Sequence, residues 1–138
     1  MTSTPPESPN TGRDPYAPAE IAHMVENIGV RKANLPLLPL VILGILAGAF
    51  IAFGAMFFTL SITGSTLGFG PTRLIGGLVF SLGLILVIIA GAELFTGNNL
   101  IVMAWADRKV TSLQLLRNWV IVYIANFIGA GATAVMIF

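Results

Sequence analysis

Residues 91–99 of this chain read Gly-Ala-Glu-Leu-Phe-Thr-Gly-Asn-Asn. They gather most of the polar chemistry found inside its apolar blocks. Glu93 is the one acidic residue there. A carboxylate isolated in hydrocarbon has to be protonated or paired. Two roles are open to it: orienting the chain through a basic residue near the cytoplasmic face, or standing as a partly solvated cap near the membrane surface. The structural role is favoured over contact with a solute, because a negative charge repels an anion. Thr96 offers a hydroxyl that can hydrogen-bond an anion or a weak acid, or tie up a free backbone carbonyl. Gly91, Gly97 and Asn98 are poor helix formers. Bond-making chemistry finds no support. Cysteine is absent, and the single histidine, His23, lies in the polar N-terminal region. Glu93 alone cannot be both general acid and general base, and no metal or cofactor cluster can be assembled. The chain reads as a non-enzyme.

Composition says what kind of element must hold these residues. Of 138 residues, 56% are hydrophobic and 9% charged, against about 25% charged in a soluble domain. Glu7, Arg13, Asp14, Glu20, Glu26 and Arg31 all precede residue 32. That excludes a soluble globular protein and a chain disordered throughout. A net charge of +1 without a large basic cluster excludes a nucleic-acid partner. Residues 1–19, rich in Pro, Ser and Thr, read as a disordered tail. Residues 20–33 read as an amphipathic juxtamembrane helix, with Ile21, Val25 and Ile28 on one face.

Residues 34–138 then form the membrane domain. A helix of about 20 residues crosses the hydrocarbon core. The first span is 36–62, followed by a Gly-rich turn from Gly64 to Pro71. The second block, 74–106, would be roughly 50 Å long as one helix, too long for a simple span. The third is 112–138. Polar residues at 91–98 break the second span, and a half-helix follows from about Asn99 to Trp105. Non-helical backbone at membrane depth is tolerated only where protein buries it or water lines it, so this pattern points to a pore or site. Arg31 and Lys32 precede the first span, and Arg108, Lys109 and Arg117 lie between the second and third. The positive-inside rule then puts the N-terminus in the cytoplasm. Gly44, Gly48, Gly76, Gly83, Ala125 and Gly129 read as helix-packing positions, within or between protomers. Asn126 reads as a hydrogen-bond partner for a neighbouring helix or the broken segment.

The string FSLGLILVIIAGAELFTGNNLIVMAWA (80–106) resembles the signature of the formate/nitrite transporter family, and RNWVIVYIANFIGA (117–130) and VENIGVRKA (25–33) resemble it too. The resemblance implies an all-α membrane protein. Family members have six spans built as two inverted three-helix repeats, and assemble as homo-pentamers with a pore in each protomer. This chain resembles the first repeat, with its second span broken by an intramembrane loop. By the same resemblance Thr96 faces the pore centre, and Phe80, Leu84 and Leu94 form constrictions, with Phe95 beside them. Glu93, Gly91, Gly97 and Asn98 support the loop. Lys32 matches a basic position at the cytoplasmic face. The family's central histidine, from its second broken helix, has no counterpart here.

The function expected is passage of small monovalent anions, such as formate, nitrite or hydrosulfide, across a bacterial inner membrane. An apolar collar resists bare anions because desolvating a charge is expensive, while a neutral acid passes more cheaply. The alternative is a non-transporting membrane scaffold or assembly subunit.

Overall fold

A computed structural model of the chain describes residues 16–137. The tail expected over 1–19 falls mainly outside the described residues. Helix α1 (Pro18–Ala33) starts two residues earlier than its periodicity suggested. Pro18 sits at its first position, where a missing N–H costs little. The Glu20 carboxylate accepts the Ala17 N–H at 2.8 Å.

Three helices are long and apolar enough to cross a membrane: α2 (Leu37–Ile62), α3 (Phe69–Ala90) and α6 (Ser112–Ile137). Helix α3 begins at Phe69, five residues before the expected start of the second span. Gly68 turns the chain there with φ of 78°, and the Thr72 N–H bonds back to the Gly68 carbonyl at 3.3 Å. Pro71 lies inside the first turn, where it has no helical N–H bond to forfeit. Two short helices, α4 (Phe95–Asn98) and α5 (Ile101–Ala106), precede α6.

Helix α2 is the axis of the unit, packed against α3 on one side and α6 on the other. Its approach to α6 depends on absent side chains. A Cβ on Gly48 would strike the Asn126 backbone, and one on Gly129 would strike the Ile45 backbone. A Cβ on Gly44 would lie 2.6 Å from that of Ala125. Between α2 and α3, Gly54 meets Gly83. The small residues thus pack helices within this chain. Helix α1 lies on α5, with Gly29 against Ala104, and Ala33, Ile101, Ala104, Val110 and Leu115 form the core beneath. Much of the outer surface is apolar, as lipid contact requires.

Candidate functional site

Helix is interrupted within the second block, over a shorter gap than the 91–98 expected from composition. Gly91–Leu94 leaves the helical conformation, and Asn99–Leu100 form a turn between α4 and α5. Gly91 caps α3 in the left-handed conformation at φ of 62°, which glycine adopts without steric cost. From Phe95 the chain coils again. Asn99 and Leu100 keep right-handed helical angles between α4 and α5. Thr96 therefore stands in a helical turn just after the gap.

A broken helix leaves backbone groups without partners. Here neighbouring groups meet several of them. The Glu93 N–H donates to the Leu43 carbonyl at 3.2 Å, and the Ala92 N–H to that of Val87 at 3.0 Å. Asn126 of α6 does three jobs. Its Oδ1 accepts the Phe95 N–H at 2.9 Å, and its Nδ2 donates to the carbonyls of Gly44 at 2.8 Å and Glu93 at 2.9 Å. One side chain thereby ties α2, the gap and α6 together. Leu43 and Gly44 lie six and seven residues into α2 from Leu37. That is about 10 Å along the helix at ~1.5 Å per residue.

A second network holds the carboxylate. Glu93 is 4% exposed, so it is not a solvated cap. Lys32 Nζ lies 2.7 Å from Glu93 Oε1, and Asn98 Nδ2 donates to Glu93 Oε2 at 2.8 Å. Asn98 Nδ2 also donates to Asn118 Oδ1 at 2.8 Å, and Asn118 Nδ2 donates to the Lys32 carbonyl at 2.9 Å. The Trp119 indole N–H donates to the Asn98 carbonyl at 3.0 Å. A charge this buried needs both a counter-ion and hydrogen bonds, and both are present. Among the described residues, one acceptor in this network, Asn98 Oδ1, lacks a partner.

Lys32 and Asn98 of this network border a cleft of about 780 Å³ between α1, the end of α3 and the α4 turn. Thr96, Leu84, Leu94 and Lys32 line it, together with Gly91, Gly97 and Asn98. Two residues grouped with them by sequence stand apart. Phe95 turns toward α6, its ring 5.4 Å from Tyr123 and 6.4 Å from Trp119. Phe80 lies one turn along α3 from Leu84, its ring edge-on to Phe58 at 6.5 Å. Phe95 thus packs where it follows a sharp change of chain direction, which spacing along a helix does not reveal.

The basic residues do not act as one patch. Lys32 faces Glu93, whereas Lys109 reaches Glu26 of α1 at 2.6 Å and Asp107 at 2.7 Å. The hydrogen bond from Lys109 holds the Glu26 and Asp107 carboxyls below their usual ranges. Asp107 first, then Glu26, raises the Lys109 ammonium above its own. This clamp fixes α1 to the α5–α6 turn.

Asn118 is a member of the hydrogen-bond network around Glu93 that its sequence position alone did not single out. A signal existed: Asn118 and Asn126 lie eight apart in an apolar span, roughly on one helix face.

Three apolar spans and no strand among the described residues define an all-α membrane protein. The family model for the formate/nitrite transporter matches residues 19–138. The chain is 44% identical over 118 residues to formate channel FocA of Escherichia coli strain K12, covering 85% of this chain and 41% of the relative. It is 43% identical over 113 residues to formate channel FocA of Haemophilus influenzae, covering 81% and 40%. Against formate channel BtFdhC of Bacillus thuringiensis it is 42% identical over 122 residues, covering 83% and 45%. The chain belongs to the formate/nitrite transporter family, a family of transporters and not of enzymes. It spans about two fifths of the length of these curated relatives.

Proposed function

We propose that this chain supplies half of the wall of a channel for small monovalent anions of the formate class, with nitrite and hydrosulfide as further candidates. The observation that carries the reading is the gap at Gly91–Leu94, its backbone held by Asn126, opening on a cleft that Thr96, Leu84, Leu94 and Lys32 share. Its level, about 10 Å into α2 at ~1.5 Å per residue, favours a position inside the bilayer. Thr96 Oγ1 has no hydrogen-bond partner among the described residues and borders the cleft, so it is available to a solute.

Leu84 and Leu94 form the apolar collar next to it, and Phe80 extends that collar one turn toward the other membrane face. Desolvating an anion there is costly, and the neutral acid passes more easily. Lys32 helps draw anions into the cleft, although its main task is to balance Glu93. Phe95 shapes the collar from behind by fixing the α4 turn against α6. A closed pore needs further helices, from the remainder of a longer polypeptide or from another copy. The family resemblance supports a homo-pentamer in a bacterial inner membrane, and the Lys/Arg distribution supports a cytoplasmic N-terminus.

Labelled formate uptake tests this in vesicles carrying the complete gene product. Uptake above empty vesicles is expected, reduced in Thr96→Val while the protein remains folded. No uptake above empty vesicles for formate, nitrite and hydrosulfide alike would overturn it.

A further inference from the structure

Resting on that channel reading, we infer that Arg73 is an anion-capture residue at the end of α3 remote from Lys32. Arg73 is the one charged residue between Lys32 and Glu93 in the sequence. The α2–α3 hairpin therefore contains no carboxylate to neutralise it. Its guanidinium carbon lies 5.8 Å from the Phe58 ring centre and 5.4 Å from that of Phe69.

The two aromatic rings attract the guanidinium through its charge and need none of its N–H donors for conventional hydrogen bonds. Among the described residues, Arg73 makes no hydrogen bond or ion pair. Its donors are thus held in place and unspent, a geometry suited to a small carboxylate that accepts two parallel bonds.

Position points the same way. Arg73, Gly77, Phe80 and Leu84 follow one another at spacings of four, three and four, which places them on one face of α3. That face leads to Gly91 and the cleft around Thr96. Arg73 is about 27 Å from Gly91 at ~1.5 Å per residue, close to the ~30 Å hydrocarbon thickness. Contacts are continuous along the way: Arg73 rests on Phe58, and Phe58 meets Phe80 edge to face with an interplanar angle of 87°. The cation thus stands at one mouth of the proposed path, directly before its aromatic collar.

Two readouts test this. In vesicles with the complete gene product, Arg73→Gln should raise the half-saturating formate concentration about five- to tenfold with the maximal rate little changed, and the difference should shrink in high salt. Arg73→Lys should recover part of the loss, since it keeps the charge but not the paired donors. An unchanged half-saturation in Arg73→Gln would overturn the assignment.

The second readout does not need transport. In detergent-solubilised wild-type protein, formate should shift one arginine side-chain 15N resonance saturably, and that resonance should be missing in Arg73→Lys. If no arginine resonance moves, the capture site is refuted. If one moves while vesicles take up nothing, the capture site stands and the channel reading fails.

Discussion

Two interfaces of α2 solve opposite problems. Against α6, α2 presents Gly44 and Gly48 to Ala125, Asn126 and Ala130, while Gly129 of α6 meets the Ile45 backbone, and backbones approach with almost nothing between them. At the gap, a few residues away, α2 presents the Leu43 and Gly44 carbonyls to polar partners. An intact helix satisfies its own backbone and can associate through small residues. An interrupted one cannot, and borrows donors and acceptors from its neighbours. Asn126 belongs to both regions: its backbone lies against Gly48, and its amide closes the gap. Tight packing of α6 on α2 is therefore what delivers the amide to the place where the helix is broken.

Breaking the tight interface should have the largest effect. Gly48→Leu would drive a side chain into the Asn126 backbone. We expect a loss of about 3 kcal/mol or more, measured as earlier unfolding in a denaturing-detergent titration. The buried ion pair comes next. Lys32→Met leaves Glu93 without its counter-ion and should cost about 3 kcal/mol. Adding Glu93→Gln should restore much of it, and the double-mutant cycle gives the coupling. Asn126→Ala deprives one N–H and two carbonyls of their partner. A loss of about 2 kcal/mol is expected, with faster amide exchange at Phe95 than at residues deep in α2.

The smallest effect concerns the Glu26–Lys109 clamp. Glu26 titrates below its ordinary 4.5, so its contribution is present above that pH and is lost as the pH falls through the lowered value. Lys109 titrates above its ordinary 10.5, so its contribution persists below that pH and is lost as the pH rises through the raised value. The amide protection factor in α1, which divides out the intrinsic pH dependence of exchange, should therefore be flat from about pH 5 to 10 as far as this clamp is concerned. It should fall only in stronger acid or base. Glu26→Gln should abolish the acid limb. A step near pH 7 that survives Glu26→Gln would assign α1 docking to other groups.

The three spans were legible because long uncharged runs have few alternatives to a bilayer. The break was legible for a similar reason: Gly91, Glu93, Gly97 and Asn98 fit badly in a continuous lipid-facing helix. Its extent was not. Asn98 and Gly97 are tolerated in a helical turn because Asn118, Glu93 and Trp119 bond to Asn98, and those partners lie five to twenty-one residues away. The Lys32–Glu93 pair spans 61 residues of sequence, and only folding brings it together. Phe95 was grouped with Leu94 by adjacency, but successive residues at a turn need not face the same side. Asn126 announced itself as a polar residue in an apolar span, whereas the geometry of its three bonds depended on where Gly48 let α6 settle.

Permeation requires that the turn after the gap be reached by water and solute from within the membrane. These 138 residues contain no cysteine, so single cysteines can report on them once any cysteine elsewhere in the gene product is replaced by serine. Thr96→Cys and, as an apolar control outside the cleft, Ile89→Cys (Ile89 is 80% exposed) should be made in the complete gene product in vesicles. A charged, water-soluble thiol reagent should modify Thr96→Cys readily, formate should slow the reaction, and Ile89→Cys should stay unmodified. A Thr96→Cys as inert as Ile89→Cys would contradict permeation past this turn.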